Sequence, residues 1–86
     1  MSDLKVTVLT KPDCVGCKFT KQEMDKLEIQ YLSRDVTQDP EAYALVMQYG
    51  YSGLPVVVVE QGENLETWTG FSPDRIKAIK NYLVEN

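Results

Sequence analysis

Two cysteines, Cys14 and Cys17, are the residues of this sequence best suited to chemistry, and Val15 and Gly16 separate them. The surrounding pattern predicts that they begin a helix, where residues three apart share a face and accept a disulfide bridge. At a helix N-terminus, unpaired backbone N–H groups and the helix dipole favour an anion such as a thiolate. We therefore predict that Cys14 is the nucleophile of a dithiol–disulfide exchange and that Cys17 is the resolving thiol.

The lack of histidine and the presence of only two cysteines restrict the alternatives. Ser-His-Asp and Cys-His enzymes need an imidazole, and a mononuclear structural zinc site normally needs four Cys or His ligands. A purely structural bridge between residues this close in sequence closes a very small loop and contributes little stability. A module in which two copies share zinc or an iron–sulfur cluster through four cysteines stays open as an alternative.

The size and charge of the chain set further limits on its function. One domain over residues 1–86 is predicted, and its small core leaves chemistry to loops and element ends. The longest apolar run, residues 54–59, is too short for a membrane span or a signal-peptide core, so a cytoplasmic protein without membrane contact is expected. A net charge of −4 without a basic stripe argues against nucleic-acid binding. A monomer is expected.

Hydrophobic periodicity and helix punctuation predict seven elements that would position the cysteine pair. Asp39 followed by Pro40 is typical of a helix start, and Gly50 of a helix end. Ser72 followed by Pro73 is typical of another helix start. The predicted order is β-α-β-α-β-β-α, with strands at 5–10, 28–36, 54–59 and 65–69 and helices that begin near residues 14, 40 and 73. The first two strands should be parallel and the last two should form an antiparallel hairpin.

Each predicted helix has one apolar face that should pack on the sheet. Phe19 lies beside the face of the first helix. The predicted buried residues are Cys17, Thr20, Met24 and Leu27 in the first helix, Ala42, Leu45, Val46 and Tyr49 in the second, and Ile76, Ala78, Ile79 and Leu83 in the third. The first and third strands have the continuous apolar character of strands that are buried on both faces.

Together, the element order, the C-V-G-C pair and Leu54-Pro55 resemble the thioredoxin/glutaredoxin superfamily. The stretch W-T-G-F-S-P-D at residues 68–74 resembles the W-S-G-F-x-P-D signature of the NrdH-redoxin family. This resemblance implies an α/β fold with a four-stranded mixed sheet flanked by three helices. It also implies that thioredoxin reductase reduces the protein and that class Ib ribonucleotide reductase receives the electrons. The electrons would come from NADPH through the reductase, with no bound cofactor other than the reversible Cys14–Cys17 disulfide.

The resemblance also assigns expected roles to individual residues of the site. Pro55 matches the superfamily's cis-proline, which faces the cysteines and would leave the backbone of Leu54 free to pair with an extended substrate segment. The residues expected to contact a partner are Lys11, Val15, Gly16, Leu54, Pro55, Trp68, Gly70, Phe71, Ser72 and Asp74. Lys11 and Lys18 are expected to add positive potential near the cysteines, with Asp13 opposing them.

Two departures from related families bear on the reductant. Val15-Gly16 replaces the Pro-Tyr of dithiol glutaredoxins and the Gly-Pro of thioredoxins. Glutaredoxins carry a Gly-Gly and acidic pair where this chain has residues 70–74, so glutathione would keep only Asp74 as a partner. A glutathione-dependent glutaredoxin nevertheless stays the first alternative. The first strand also has no carboxylate beneath the site, unlike thioredoxins.

Overall fold

A computed structural model describes residues 4–85 and contains the seven elements in the predicted order. The strands are β1 (Leu4–Thr10), β2 (Leu32–Asp35), β3 (Val56–Gln61) and β4 (Asn64–Thr69), and the helices are α1 (Val15–Lys26), α2 (Pro40–Gln48) and α3 (Pro73–Glu85). The α/β fold class and the four-stranded mixed sheet with three helices are thereby confirmed. Within the part of the chain that is described, none of the helices combines the length and apolar character needed to cross a bilayer.

The four strands form one sheet in the order β2-β1-β3-β4, with β1 and β3 at its centre. β1 pairs in parallel with β2 and antiparallel with β3, and β3 and β4 form the predicted antiparallel hairpin. Side chains of β3 alternate between the two faces, so Val57 and Val59 lie in one core cluster while Val56 and Val58 lie in the other. α1 and α3 cover the first face, and α2 covers the second. Both central strands are buried because helices pack on both faces.

Three details of the predicted secondary structure and core are wrong. Strand β3 spans Val56–Gln61 and not residues 54–59, because Leu54 and Pro55 precede the strand. Strand β2 starts at Leu32 and not at residue 28, because Glu28 has φ 59° and the N–H of Ile29 donates to the carbonyl of Met24 at 2.8 Å. The chain thus folds back on the end of α1 before it extends. Ala78 is exposed, since it lies about 100° around the helix from the buried Ile79.

Asp39 caps α2 and also forms an ion pair, which fixes the start of this helix. Its carboxylate accepts hydrogen bonds from the backbone N–H groups of Glu41 at 3.1 Å and Ala42 at 3.2 Å. The guanidinium of Arg34 donates to both carboxylate oxygens, at 2.8 and 3.1 Å. The hydrogen bond from Arg34, helped by those from the backbone, lowers the pKa of Asp39. Gly50, with φ 79°, follows the end of α2 as predicted.

Replacing Asp39 by asparagine should make the stability of the fold less sensitive to acid. The folded-state pKa of Asp39 lies below its ordinary value, so the ion pair stabilises the fold fully above the unfolded-state pKa and is lost as the pH falls through the folded-state pKa. Asparagine still caps a helix but does not pair with Arg34. We expect wild type to melt roughly 3 °C above Asp39→Asn at neutral pH, and the difference to disappear between about pH 5 and about pH 2.

Thermal unfolding followed by circular dichroism across this pH range measures the effect. Glu63→Gln, in the exposed β3–β4 turn, removes a carboxylate that forms no ion pair with another described side chain and serves as the control. A difference between wild type and Asp39→Asn that stays constant down to pH 2 would contradict the role of the ion pair.

Candidate redox site

Cys14 and Cys17 are joined by a disulfide at the start of α1, with their Cα atoms 5.2 Å apart. Cys14 is the N-cap residue of the helix, and its Sγ accepts the backbone N–H of Cys17 at 3.2 Å. Cys14 is half-buried, whereas Cys17 is only 1% exposed. An incoming sulfur therefore reaches Cys14 first, and the sulfur of Cys17 lies behind it. After reduction, the same backbone N–H is placed to stabilise a thiolate at Cys14.

The Leu54–Pro55 segment packs directly against the disulfide. The peptide bond between these two residues is cis, and the carbonyl oxygen of Leu54 lies 3.6 Å from the Sγ of Cys14. A Cβ atom added to Gly16 would lie 3.2 Å from Cδ of Pro55, a ring that is fully buried. Gly16 is thus the residue that lets the first turn of α1 approach the proline this closely.

Residues 69 and 70, at the end of β4, form hydrogen bonds to the backbone around the same proline. The N–H of Gly70 donates to the carbonyl of Pro55 at 2.9 Å, and the hydroxyl of Thr69 donates to the carbonyls of Gly53 and Pro55 at 3.0 and 3.2 Å. Gly70 has φ 87°, a left-handed conformation that disfavours residues with a Cβ. This geometry brings Phe71 to the site.

Members of the predicted 68–74 segment lie in three different environments. Trp68 is buried in the core under the guanidinium of Arg75, which lies 5.4 Å from its ring centroid. Phe71 is 41% exposed beside Phe19 of α1, and their ring centroids are 5.9 Å apart. Ser72 and Asp74 lie at the first turn of α3, where the carbonyl of Ser72 accepts the N–H of Ile76. Of these residues, Phe71 presents the apolar surface nearest the first turns of α1.

An open groove of about 710 Å³ runs from the disulfide along α1. Both cysteines and Lys11, Lys18 and Lys21 line it, and we name it the lysine groove after these three lysines. Asp13, Asp25 and Tyr31 also line the groove. Burial, with a smaller contribution from the charge and hydrogen bonding of Asp25, raises the pKa of Tyr31 above its ordinary value, so this phenol stays neutral. A second groove of about 450 Å³ between β4 and α3 includes neither cysteine.

Three residues lie at the site although no sequence motif marks them: Phe19, Lys21 and Tyr31. Phe19 is 47% exposed and therefore lies outside the buried face of α1. Lys21 could have been found from helical spacing, since residues 14, 18 and 21 fall on one side of a helix. Tyr31 follows the unpredicted bend at the end of α1, which gives no local sequence signal. Among the described side chains of residues 4–84 no three Cys, Asp or Glu groups are arranged so as to hold a metal ion.

Comparison with known proteins gives consistent results for the whole fold. A family model described as Glutaredoxin matches residues 6–63. The SPbeta prophage-derived thioredoxin-like protein YosR of Bacillus subtilis is 32% identical over 82 residues, which cover 93% of this chain and 99% of that protein. The glutaredoxin-like protein NrdH of Escherichia coli is 32% identical over 76 residues, which cover 88% and 89% of the two chains. The solved structure of Escherichia coli NrdH-redoxin superposes with a TM-score of 0.74 at 33% identity, over 87% of this chain and 93% of that one.

Proposed function

This chain belongs to the glutaredoxin family and is similar to its NrdH members, and from that membership we infer that it is an electron carrier between a thioredoxin reductase and a ribonucleotide reductase. It is a thiol–disulfide oxidoreductase with the redox-active pair Cys14 and Cys17. The proposed electron donor is thioredoxin reductase, and the proposed acceptor is class Ib ribonucleotide reductase. We place this monomeric carrier in the cytoplasm, with no bound cofactor and no binding to nucleic acid or membranes.

The proposed reaction starts from the reduced chain, which holds two thiols. The thiolate of Cys14 attacks one sulfur of the acceptor's disulfide, so that bond breaks, a mixed disulfide forms and the acceptor's other sulfur leaves as a thiolate. Cys17 then loses its proton and attacks the Sγ of Cys14, which releases the acceptor's second thiolate. The acceptor gains two electrons, and its two thiolates take up the protons lost by Cys14 and Cys17. A reductase dithiol, renewed with NADPH, returns the Cys14–Cys17 disulfide to two thiols by the same two exchanges.

The position of Cys14 is the observation that carries this assignment. Its sulfur caps α1 and accepts the N–H of Cys17, and Cys14 is half-buried whereas Cys17 is fully buried. These are the properties required of a nucleophile and a resolving thiol.

Two observations support thioredoxin reductase over glutathione as the electron donor. The similar NrdH-redoxin from Escherichia coli, a glutaredoxin-like protein, has a thioredoxin-like activity profile. In this chain, Phe71 occupies the segment in which glutaredoxins carry groups for the charged ends of glutathione, and it packs on Phe19. Asp74 remains exposed at the start of α3 as the one acidic residue of that segment.

Consumption of NADPH in the presence of a disulfide substrate tests the proposed donor in two parallel reactions. One contains thioredoxin reductase, and the other contains glutathione with glutathione reductase. We expect turnover in the first reaction, and at least about tenfold less in the second, because only Asp74 remains of the groups that would bind the tripeptide. Efficient turnover only with glutathione would make the protein a glutathione-dependent glutaredoxin. Turnover in neither reaction would favour the alternative in which two copies of the chain share a metal through their C-x-x-C pairs. The first result would make reduction of class Ib ribonucleotide reductase the next assay.

A further inference from the structure

The lysine groove adjoins Cys14 and differs in charge from the rest of the chain. It contains Lys11, Lys18 and Lys21 against the two carboxylates of Asp13 and Asp25, whereas the whole chain has a net charge of −4. Among the described side chains of residues 4–84 the only ion pairs within 4 Å are those of Arg34 with Asp39 and Glu41, so none of the three lysines forms an ion pair with another of these side chains. A locally cationic groove in an acidic chain favours anionic partners at this position.

The surface becomes apolar at one edge of the lysine groove, beginning with Val15, which lines it. Val15 is 64% exposed, Phe19 lies four residues further along α1, and Phe71 packs beside Phe19. Residues 15 and 19 share one side of the helix and residues 18 and 21 share another, and Val15 lies where the two sides meet because it also lines the lysine groove. Cys14 therefore lies at the boundary between a basic surface and an apolar surface.

We propose that this site selects an extended segment in which one cysteine of a disulfide has acidic residues before or after it in sequence and an apolar residue on its opposite side in sequence. The acidic residues enter the lysine groove. The inference rests on the proposed function and specifies its substrate class. When the substrate's sulfur meets Cys14, carboxylates lie over Lys11, Lys18 and Lys21, and the apolar side chain lies against Val15, Phe19 and Phe71. Because the lysines are exposed or half-buried, the main effect is on the rate of association, and salt screens it.

Three synthetic peptides test the charge preference. Each peptide contains the same intramolecular disulfide and the same apolar residue. The peptides differ only at two positions that flank one cysteine, and these positions are both glutamate, both glutamine or both lysine. The chain is reduced, freed of reductant and mixed with each peptide, and the second-order rate constant is measured by acid quench and mass spectrometry, without any reductase. At about 0.01 M ionic strength we expect the glutamate peptide to react about tenfold faster than the lysine peptide, and at about 1 M the two rates should agree within about twofold.

A pair of charge reversals localises the effect to the groove. Lys18→Glu/Lys21→Glu should invert the preference, and Lys18→Gln/Lys21→Gln should bring the two rate constants close together. The matched control is Lys77→Glu/Lys80→Glu on α3, which has the same spacing, the same exposed and half-buried pattern and the same change in net charge. This control should keep the wild-type preference, since neither lysine lines the groove.

The outcomes separate this inference from the function on which it rests. Equal rates for the three peptides at low salt would overturn the charge preference and leave the oxidoreductase function intact. An equal loss of preference in the α3 control would also overturn it, because net charge and not the groove would then explain the effect. Failure of the reduced chain to react with any of the peptides would instead refute the proposed function.

Discussion

Replacing Cys14 by serine is expected to reduce disulfide-reductase activity to the uncatalysed background. A serine hydroxyl does not ionise under conditions where a cysteine at a helix N-cap forms a thiolate. Cys17 is only 1% exposed and therefore cannot replace Cys14 in the attack. Initial rates of NADPH consumption measure the loss, and circular dichroism verifies that the variant is folded. Full dithiol activity in Cys14→Ser would contradict the assignment of the nucleophile.

Cys17→Ser is the matched variant and should fail at a later step. Cys14 still attacks the acceptor's disulfide, but no thiol follows to break the mixed disulfide, so the covalent complex accumulates. Non-reducing electrophoresis and intact mass spectrometry should detect this complex with Cys17→Ser and not with Cys14→Ser. Accumulation with Cys14→Ser instead would mean that the two cysteines have the opposite roles.

The sequence contains enough local information to predict the element order and the identity of the reactive pair. Asp39-Pro40 and Gly50 mark the two ends of α2 through backbone requirements that act within a few residues. The apolar continuity of β1 and β3 reflects burial on both faces and predicts central strands. The cysteine spacing likewise predicts a disulfide at a helix start, since both residues lie within one turn.

Features that depend on distant contacts could not be predicted with the same detail. Phe19 and Phe71 are 52 positions apart in sequence, and no local pattern indicates that their rings pack together. The close approach of Gly16 to Pro55 depends on how α1 packs on the sheet. The late start of β2 follows from the left-handed backbone of Glu28, a conformation that glutamate rarely adopts.

Replacing Trp68 by alanine is expected to be the most destabilising of the site-segment substitutions. Trp68 is 6% exposed and packs in the core with Ile76 and Ile79, and the guanidinium of Arg75 covers its ring. Removal of a buried tryptophan side chain costs about 3–5 kcal/mol in unfolding free energy, because the transfer of the ring and the cavity both contribute. For a domain of this length that corresponds to a fall in melting temperature of roughly 12–40 °C.

Circular dichroism melts of the oxidised chain measure this loss. Leu65→Ala is the control: it lies on the same strand, is 52% exposed and should change the unfolding free energy by no more than about 0.5 kcal/mol. A similar melting temperature for Trp68→Ala and Leu65→Ala would refute the role of Trp68 in the core.

The milder variant Trp68→Phe separates packing from contact with a partner. Phenylalanine keeps a ring in the core but loses the indole N–H and part of the buried area, so a smaller fall in melting temperature is expected than for alanine. The prediction from the sequence that Trp68 contacts the partner is tested by the KM of the same variant at a temperature where it is fully folded. A raised KM without loss of folded protein would assign Trp68 to the partner surface. A lowered melting temperature with the KM of wild type would assign it to the core that holds β4 in place, and with it the hydrogen bond of Gly70 to Pro55 and the packing of Phe71 on Phe19.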